Sequence, residues 1–222
     1  MPDYEQKEHP IIFCTEMVKA IQDNEKTMTR RTHGLELINR HPDEYQFIEF
    51  KEDLGYPASR GYLWAGFKRR NKSYSTVYIK CPYGQVGGLL WVRETWAKRV
   101  DGVDQILYKA QYENVVQMLD LPDFNIKWKP PIHMFKKDAR LWLEKTAIRV
   151  ERLQDISRGE IRAEGVGLPP SPRFTPGVFS ELHQEFAYLW DKLNAKRGYS
   201  WEFNPWVWPI SFKHSGRNIG DK

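Results

Sequence analysis

A chain of 222 residues with 28% charged side chains is long enough to bury a sizeable core as one large domain, or as one domain carrying an insertion. Its apolar runs are too short for any segment to be expected to span a bilayer. The formal charge of +5 and a pI near 9.1 fit an anionic partner without requiring one. The two cysteines, Cys14 and Cys81, exclude a disulfide framework or a cysteine zinc site, and a reducing cytosol is the expected compartment.

Residues 1–9 read as a loose leader, and MPDYEQKEHP has none of the apolar stretch of a signal peptide. Ile11 to Phe13 reads as a strand. Thr15 is placed to cap a following helix with Met17, Val18 and Ile21 on one side. That helix breaks at Asp23-Asn24 and the chain leaves through Lys26-Thr27-Met28-Thr29-Arg30-Arg31. On a strand, Thr27, Thr29 and Arg31 share one face. Lys26 can therefore join Thr29 only from the bend where the helix ends. Such a bend can gather an amine, a hydroxyl and a guanidinium in one small pocket. The alternative is a cationic last helical turn, stabilised by the dipole and running into a solvated strand.

Gly55-Tyr56-Pro57 and Gly61 punctuate the next stretch, which ends in Lys68-Arg69-Arg70-Asn71-Lys72. That basic run suits either a phosphate-contacting loop or a solvated turn. Ser75 to Lys80 alternates as a strand. Leu89 to Trp96 is the strongest apolar strand, with Leu90, Val92, Glu94 and Trp96 on one face and Leu89, Trp91, Arg93 and Thr95 on the other. A charge at its end, Arg93 or Glu94, can line a pocket mouth or simply meet solvent.

Ile106 to Ala110 is another short strand, and residues 111–131 are irregular, ending in Lys127-Trp128-Lys129-Pro130-Pro131. His133 follows. A lone histidine is more often a structural donor than an acid or base, and no histidine pair has metal-ligand spacing, so neither metal nor cofactor is expected. Arg140 to Leu153 should be a long central strand. Ser157-Arg158-Gly159-Glu160 is a capping box opening a helix that runs to Glu164 and stops at Gly165. Glu164 then lies in the last turn, where the dipole disfavours a carboxylate. After a proline-rich loop, Pro176 should start a helix whose Phe179, Leu182, Phe186, Leu189 and Leu193 form a core face and nothing more. Trp206, Trp208, Ile210 and Phe212 share a face of the last strand, in which Pro209 predicts an edge or a bulge. The tail from 213 on should fray. Strands dominate without regular helical crossovers, which indicates α+β with a closed or nearly closed barrel.

The run EKTMTRR resembles the motif of the ASCH family of the PUA-like superfamily, Gly-x-Lys-x-x-Glu-x-Arg. Lys26 and Arg31 fall on its Lys and Arg, whereas Asn24 stands at the Gly and Thr29 at the Glu. The Thr version resembles the branch that hydrolyses N4-acetylcytidine with a Lys, a Thr and a Glu. The blocks GGLLWVRETWA, KWKPPIHM, RVERLQDIS and NPWVWPISF are similar, in the same order, to the phage and prophage subfamily over most of residues 10–213.

The resemblance implies a single PUA-like domain over 1–222: a β-barrel of about five or six strands with flanking helices and an insertion at 32–73. It implies Lys26, Thr29 and Glu164 as catalytic residues. Arg31, Arg93, Glu94, Trp96 and His133 would contact the ligand, RNA or a modified nucleoside. Competing readings are an RNA-binding module without catalysis, a ribonuclease, and a structural phage protein.

Overall fold

The computed structural model describes residues 8–70, 76–98, 106–112, 126–167 and 179–217, with the side chains of 179–181 left aside. The elements are β1 (His9–Ile12), α1 (Thr15–Gln22), β2 (Met28–Arg31), β3 (Tyr45–Lys51), β4 (Trp64–Arg69), β5 (Thr76–Lys80), β6 (Leu89–Arg93), β7 (Trp96–Lys98), β8 (Ile106–Tyr108), β9 (Trp142–Ile148), β10 (Glu151–Arg152), α2 (Arg158–Ala163), α3 (Phe179–Asn194) and β11 (Trp206–His214). The architecture is α+β. A curled mixed sheet in the order β1-β6-β9-β11-β10 forms a half-barrel, and β2 also pairs with β11. Strands β3-β4-β5 make a second sheet and β7-β8 a third. No helix among the described residues is long and apolar enough to cross a membrane.

Period-two patterning decides the core. Leu90, Val92, Glu94 and Trp96 are all buried, as their shared face predicts, although the strand divides into β6 and β7 at Glu94-Thr95. Trp206, Trp208, Ile210 and Phe212 are likewise buried on β11. β1 runs parallel to β6, with Ile11 opposite Val92 and Ile12 opposite Arg93; the first pair points into the core and the second outward.

Several expectations need correction. The helix α1 is capped by Cys14, with Thr15 as its first residue and no side-chain cap bond. The long strand expected from Arg140 to Leu153 is two strands, β9 and β10, with Arg149-Val150 between them. Pro209 does not mark an edge, because β11 is flanked by β9 and β10 on one side and β2 on the other. Its carbonyl accepts Arg149 N at 3.0 Å, but proline has no N–H to return the bond to Arg149 O, and the ladder breaks there, between β9 and β10. A register shift does occur two residues on, between Ser211 and Phe212.

The stretch 32–73 is woven into the molecule. It supplies β3 and β4, and Leu35, Ile38, Leu63, Ala65 and Phe67 join the main core beside Ile11, Trp206 and Trp208. The phosphate-loop reading falls partly outside the described residues at Asn71 and Lys72. Lys68 and Arg69 end β4, and Arg69 pairs with Glu44. The expected helix start at Pro176 also lies outside the described residues.

Candidate functional site

The bend at residues 23–27 is built by local geometry. Asn24 adopts φ +58, the left-handed region, which Asn enters more readily than most other non-glycine residues. The amides of Glu25 and Lys26 both bond Ala20 O, at 2.8 and 3.0 Å, closing α1 and turning the chain. Thr27 N then donates to Ala163 O at 2.8 Å, so the exit from the bend is pinned to the end of α2. The helix α2 starts with the predicted capping box, in which Ser157 Oγ accepts from Glu160 N and Glu160 Oε2 accepts from Ser157 N. It ends at Glu164, whose successor Gly165 has φ +85 and lies so close that an added Cβ would meet Lys26 Cβ at 3.3 Å.

These constraints bring Lys26 and Glu164 together. Lys26 is 2% exposed, and its Nζ donates to Glu164 Oε2 and to Glu164 O, each at 2.7 Å. Burial lowers the pKa of the amine, and the neighbouring carboxylate works in the opposite direction. Thr29 is also buried, at 3% exposure. Both residues, with Arg31 and Glu164, line one cavity of about 330 Å³, a volume suited to a small ligand. Arg31 Nη2 donates to Ile12 O at 2.7 Å and its guanidinium lies 5.0 Å from the Phe13 ring centre. Its Nε is buried with no hydrogen-bond partner. Burial lowers the Arg31 pKa, but a guanidinium stays cationic.

Much of the remaining lining is apolar. Phe186, Leu189, Trp190 and Leu193 of α3 line the cavity, as do Met17 and Tyr83, with Asn194 and Arg197 as polar members at the end of α3 and just beyond it. The expectation that the α3 face is core only is therefore wrong. Leu182 and Phe186 do pack with Leu153, Ile156 and Ile161, but Leu193 is 49% exposed and looks onto the cavity. Helical periodicity marks an apolar face without saying whether protein or ligand covers it.

Arg30 is a residue that sequence reasoning passed over. It points away from Thr29 and Arg31, as alternation along β2 requires. Its side chain is fully buried and donates to Glu151 at 2.6 Å, Glu160 at 3.0 Å and Glu164 at 3.4 Å. Glu160 is held down to about 2: burial raises it, but Ser157 N–H, Arg149 and Arg30 outweigh that. The available signal was the set of three glutamates, at 151, 160 and 164, facing the one arginine Arg30, but their spacing has no fixed period.

The remaining expected contacts divide. Arg93, Trp96 and His133 line a different cleft with Lys129, Ile132, Met134 and Phe135, so they do not join Lys26, Arg31 and Glu164 in one site. Trp96, at 3% exposure, is therefore no stacking partner for a ligand in the Lys26 cavity. Glu94 belongs to neither. It is 1% exposed and locked to Arg140 by Nε–Oε1 and Nη2–Oε2 bonds of 2.9 and 3.0 Å, a buried fork-to-fork pair that serves the fold. Among the described residues, no group of three His, Cys, Asp or Glu side chains is arranged to hold a metal ion. No protein-family model, curated protein or solved structure matches the chain.

Proposed function

We propose that the Lys26 cavity binds an N4-acylated cytidine, or a related acylated nucleobase, and hydrolyses its amide. The observation that carries this reading is the buried 2.7 Å contact between Lys26 Nζ and Glu164 Oε2 in a cavity that Thr29 also lines. The apolar wall of Phe186, Leu189 and Trp190 suits the faces of a flat ring, and the cationic floor suits its carbonyl groups.

The chemistry follows from one proton shared within the pair. With that proton on Glu164, the desolvated Lys26 amine takes the hydroxyl proton as Thr29 Oγ1 attacks the acyl carbon. Arg31, the guanidinium that lines the cavity, steadies the oxyanion. Glu164 gives its proton to the departing ring amine, leaving acyl-Thr29 and a Lys26⁺/Glu164⁻ pair. Water then attacks the ester, passing a proton to Glu164 while Lys26 returns one to Thr29 Oγ1. The carboxylic acid leaves and the starting state is restored.

The test is release of cytidine from N4-acetylcytidine by the wild type and by Lys26→Ala, Thr29→Ala and Glu164→Gln. Each substitution should lower kcat by roughly 10²–10⁴-fold. Wild-type turnover no faster than that of Thr29→Ala overturns the reading. A binding module without chemistry is favoured by one observation, that Lys26 also bonds the terminal carbonyl of α2 and so caps the helix. In that case Thr29→Ala keeps full affinity for cytidine, and no protein form releases it from the acylated compound.

A further inference from the structure

The second cleft lies one strand away from the first. Ile12 lines the Lys26 cavity, and its carbonyl accepts from Arg31. In the parallel β1–β6 pair Ile12 is the register partner of Arg93, and Phe13 N donates to Arg93 O at 3.1 Å. Register partners on neighbouring strands share a face, so Ile12 and Arg93 both project outward, with backbones about 4.8 Å apart. The exposed Ile12 is thus a low ridge between the cavity and the cleft.

The cleft has a consistent chemistry. Its volume is about 570 Å³, and its lining among the described residues holds Arg93, Lys129 and His133 and no carboxylate. Arg93 fixes the Pro131–His133 turn by donating to Pro131 O and Ile132 O, which holds the loop and its own guanidinium in place. Lys129 Nζ lies 4.9 Å from the Trp96 ring centre and remains at the exposed rim. The Trp96 indole N–H is buried without an acceptor. Phe135, 65% exposed, presents an aromatic face that the fold leaves uncovered. Cations with no carboxylate among the described lining residues, beside an exposed ring, match a phosphodiester and its base, since phosphate contacts need positive charge and any base can stack.

We propose that this cleft binds the nucleotide adjoining the one in the Lys26 cavity, so that the protein engages a single-stranded polynucleotide across Ile12 rather than a free nucleoside alone. The proposal rests on the assignment of the cavity to a nucleobase. Lys129 contacts the phosphate and Phe135 stacks the neighbouring base. Arg93 sets the phosphate-facing turn.

The experiment is fluorescence anisotropy with labelled single-stranded RNA and DNA of about eight nucleotides, over a salt series, for the wild type, Lys129→Gln and Phe135→Ser. Both replaced side chains are exposed, and thermal melting verifies that the variants fold. Each variant should bind the strand at least about fivefold more weakly, the range one lost stacked base or phosphate contact gives. Lys129→Gln alone should flatten the slope of log affinity against log salt by about one. A preference for RNA identifies a site that also reads the 2′-hydroxyl, and equal binding identifies phosphate and base alone. Strand affinity that neither variant changes overturns the proposal, as does a wild type that hydrolyses the nucleoside yet binds no strand. Strand binding that responds as expected in a protein without hydrolysis upholds the cleft and removes only the proposed chemistry.

Discussion

Lys145 illustrates what one buried charge does to this protein. Its side chain is fully buried, its Nζ has no hydrogen-bond partner, and burial pushes its pKa down from 10.5 to about 8. The turn at Gly87-Gly88 makes room for it, since a Cβ on Gly88 would lie 2.8 Å from the amine. Between about 8 and 10.5 the unfolded chain keeps a proton that the folded chain has released, so stability rises with pH. Cys81 acts oppositely: burial lifts its thiol from 9.0 to about 12, so above pH 9 the unfolded chain loses a proton the folded one keeps and stability falls. The clean window for Lys145 is therefore about pH 7.5–9. Urea midpoints should increase across it in the wild type. In Lys145→Met that slope should become shallower, the rest belonging to Lys26, whose pKa burial also lowers, with a gain of roughly 2–3 kcal/mol at pH 7. An unchanged slope would place the amine in contact with solvent. Arg30 predicts the reverse. Arg30→Met leaves three glutamates crowded around an apolar side chain and should cost about 3–5 kcal/mol by urea unfolding at neutral pH. Sequence spacing had located Lys26 and Thr29 because a bend and a strand face are local. Arg30 was passed over and Glu94 misjudged because their partners lie more than a hundred residues away, at Glu151, Glu160 and Glu164, and 46 residues away, at Arg140.

At the scale of elements, α2 is short and depends on its ends. The Ser157 capping box closes one end, and Lys26 holds the carbonyl and carboxylate of Glu164 at the other. Ser157→Ala should cost about 1 kcal/mol in urea unfolding. Because Glu160 both caps α2 and receives Arg30 and Arg149, the same change loosens the carboxylate cluster beside Glu164. The rate of nucleoside hydrolysis should therefore fall more than a surface substitution such as Lys213→Gln lowers it, and equal rates would separate the cap from the site. The capping box was legible because it is a four-residue signal. The double role of α3 was not, since an amphipathic stripe gives the same pattern whether it meets a core or a ligand. The break between β6 and β7 was hidden for a related reason: burial keeps its period of two across Glu94-Thr95 although the hydrogen-bonding partner changes from β9 to β8.

For the whole molecule, β11 is the organising strand, because it joins β9 and β10 on one side to β2 on the other and so connects both halves of the Lys26 site. The β3-β4-β5 sheet is tied to it through Phe67, whose ring centre lies 5.2 Å from that of Trp206. That contact predicts one cooperative transition in calorimetry, with Phe67→Ala lowering stability by about 3–5 kcal/mol across the whole molecule. An early separate melt of the small sheet would instead identify an independent insertion. The α+β class was readable from strand periodicity, and the pairing order was not, since periodicity says which residues face inward and not which strand lies alongside. The central claim is that Thr29 is acylated within the cavity that Lys26 and Glu164 close. Intact-protein and peptide mass spectrometry after acid quench of N4-acetylcytidine turnover tests it most directly. A single acetyl group is expected on the peptide bearing Thr29, absent from Thr29→Ala. Turnover with no acetyl on Thr29, or with the group on another residue, would contradict it.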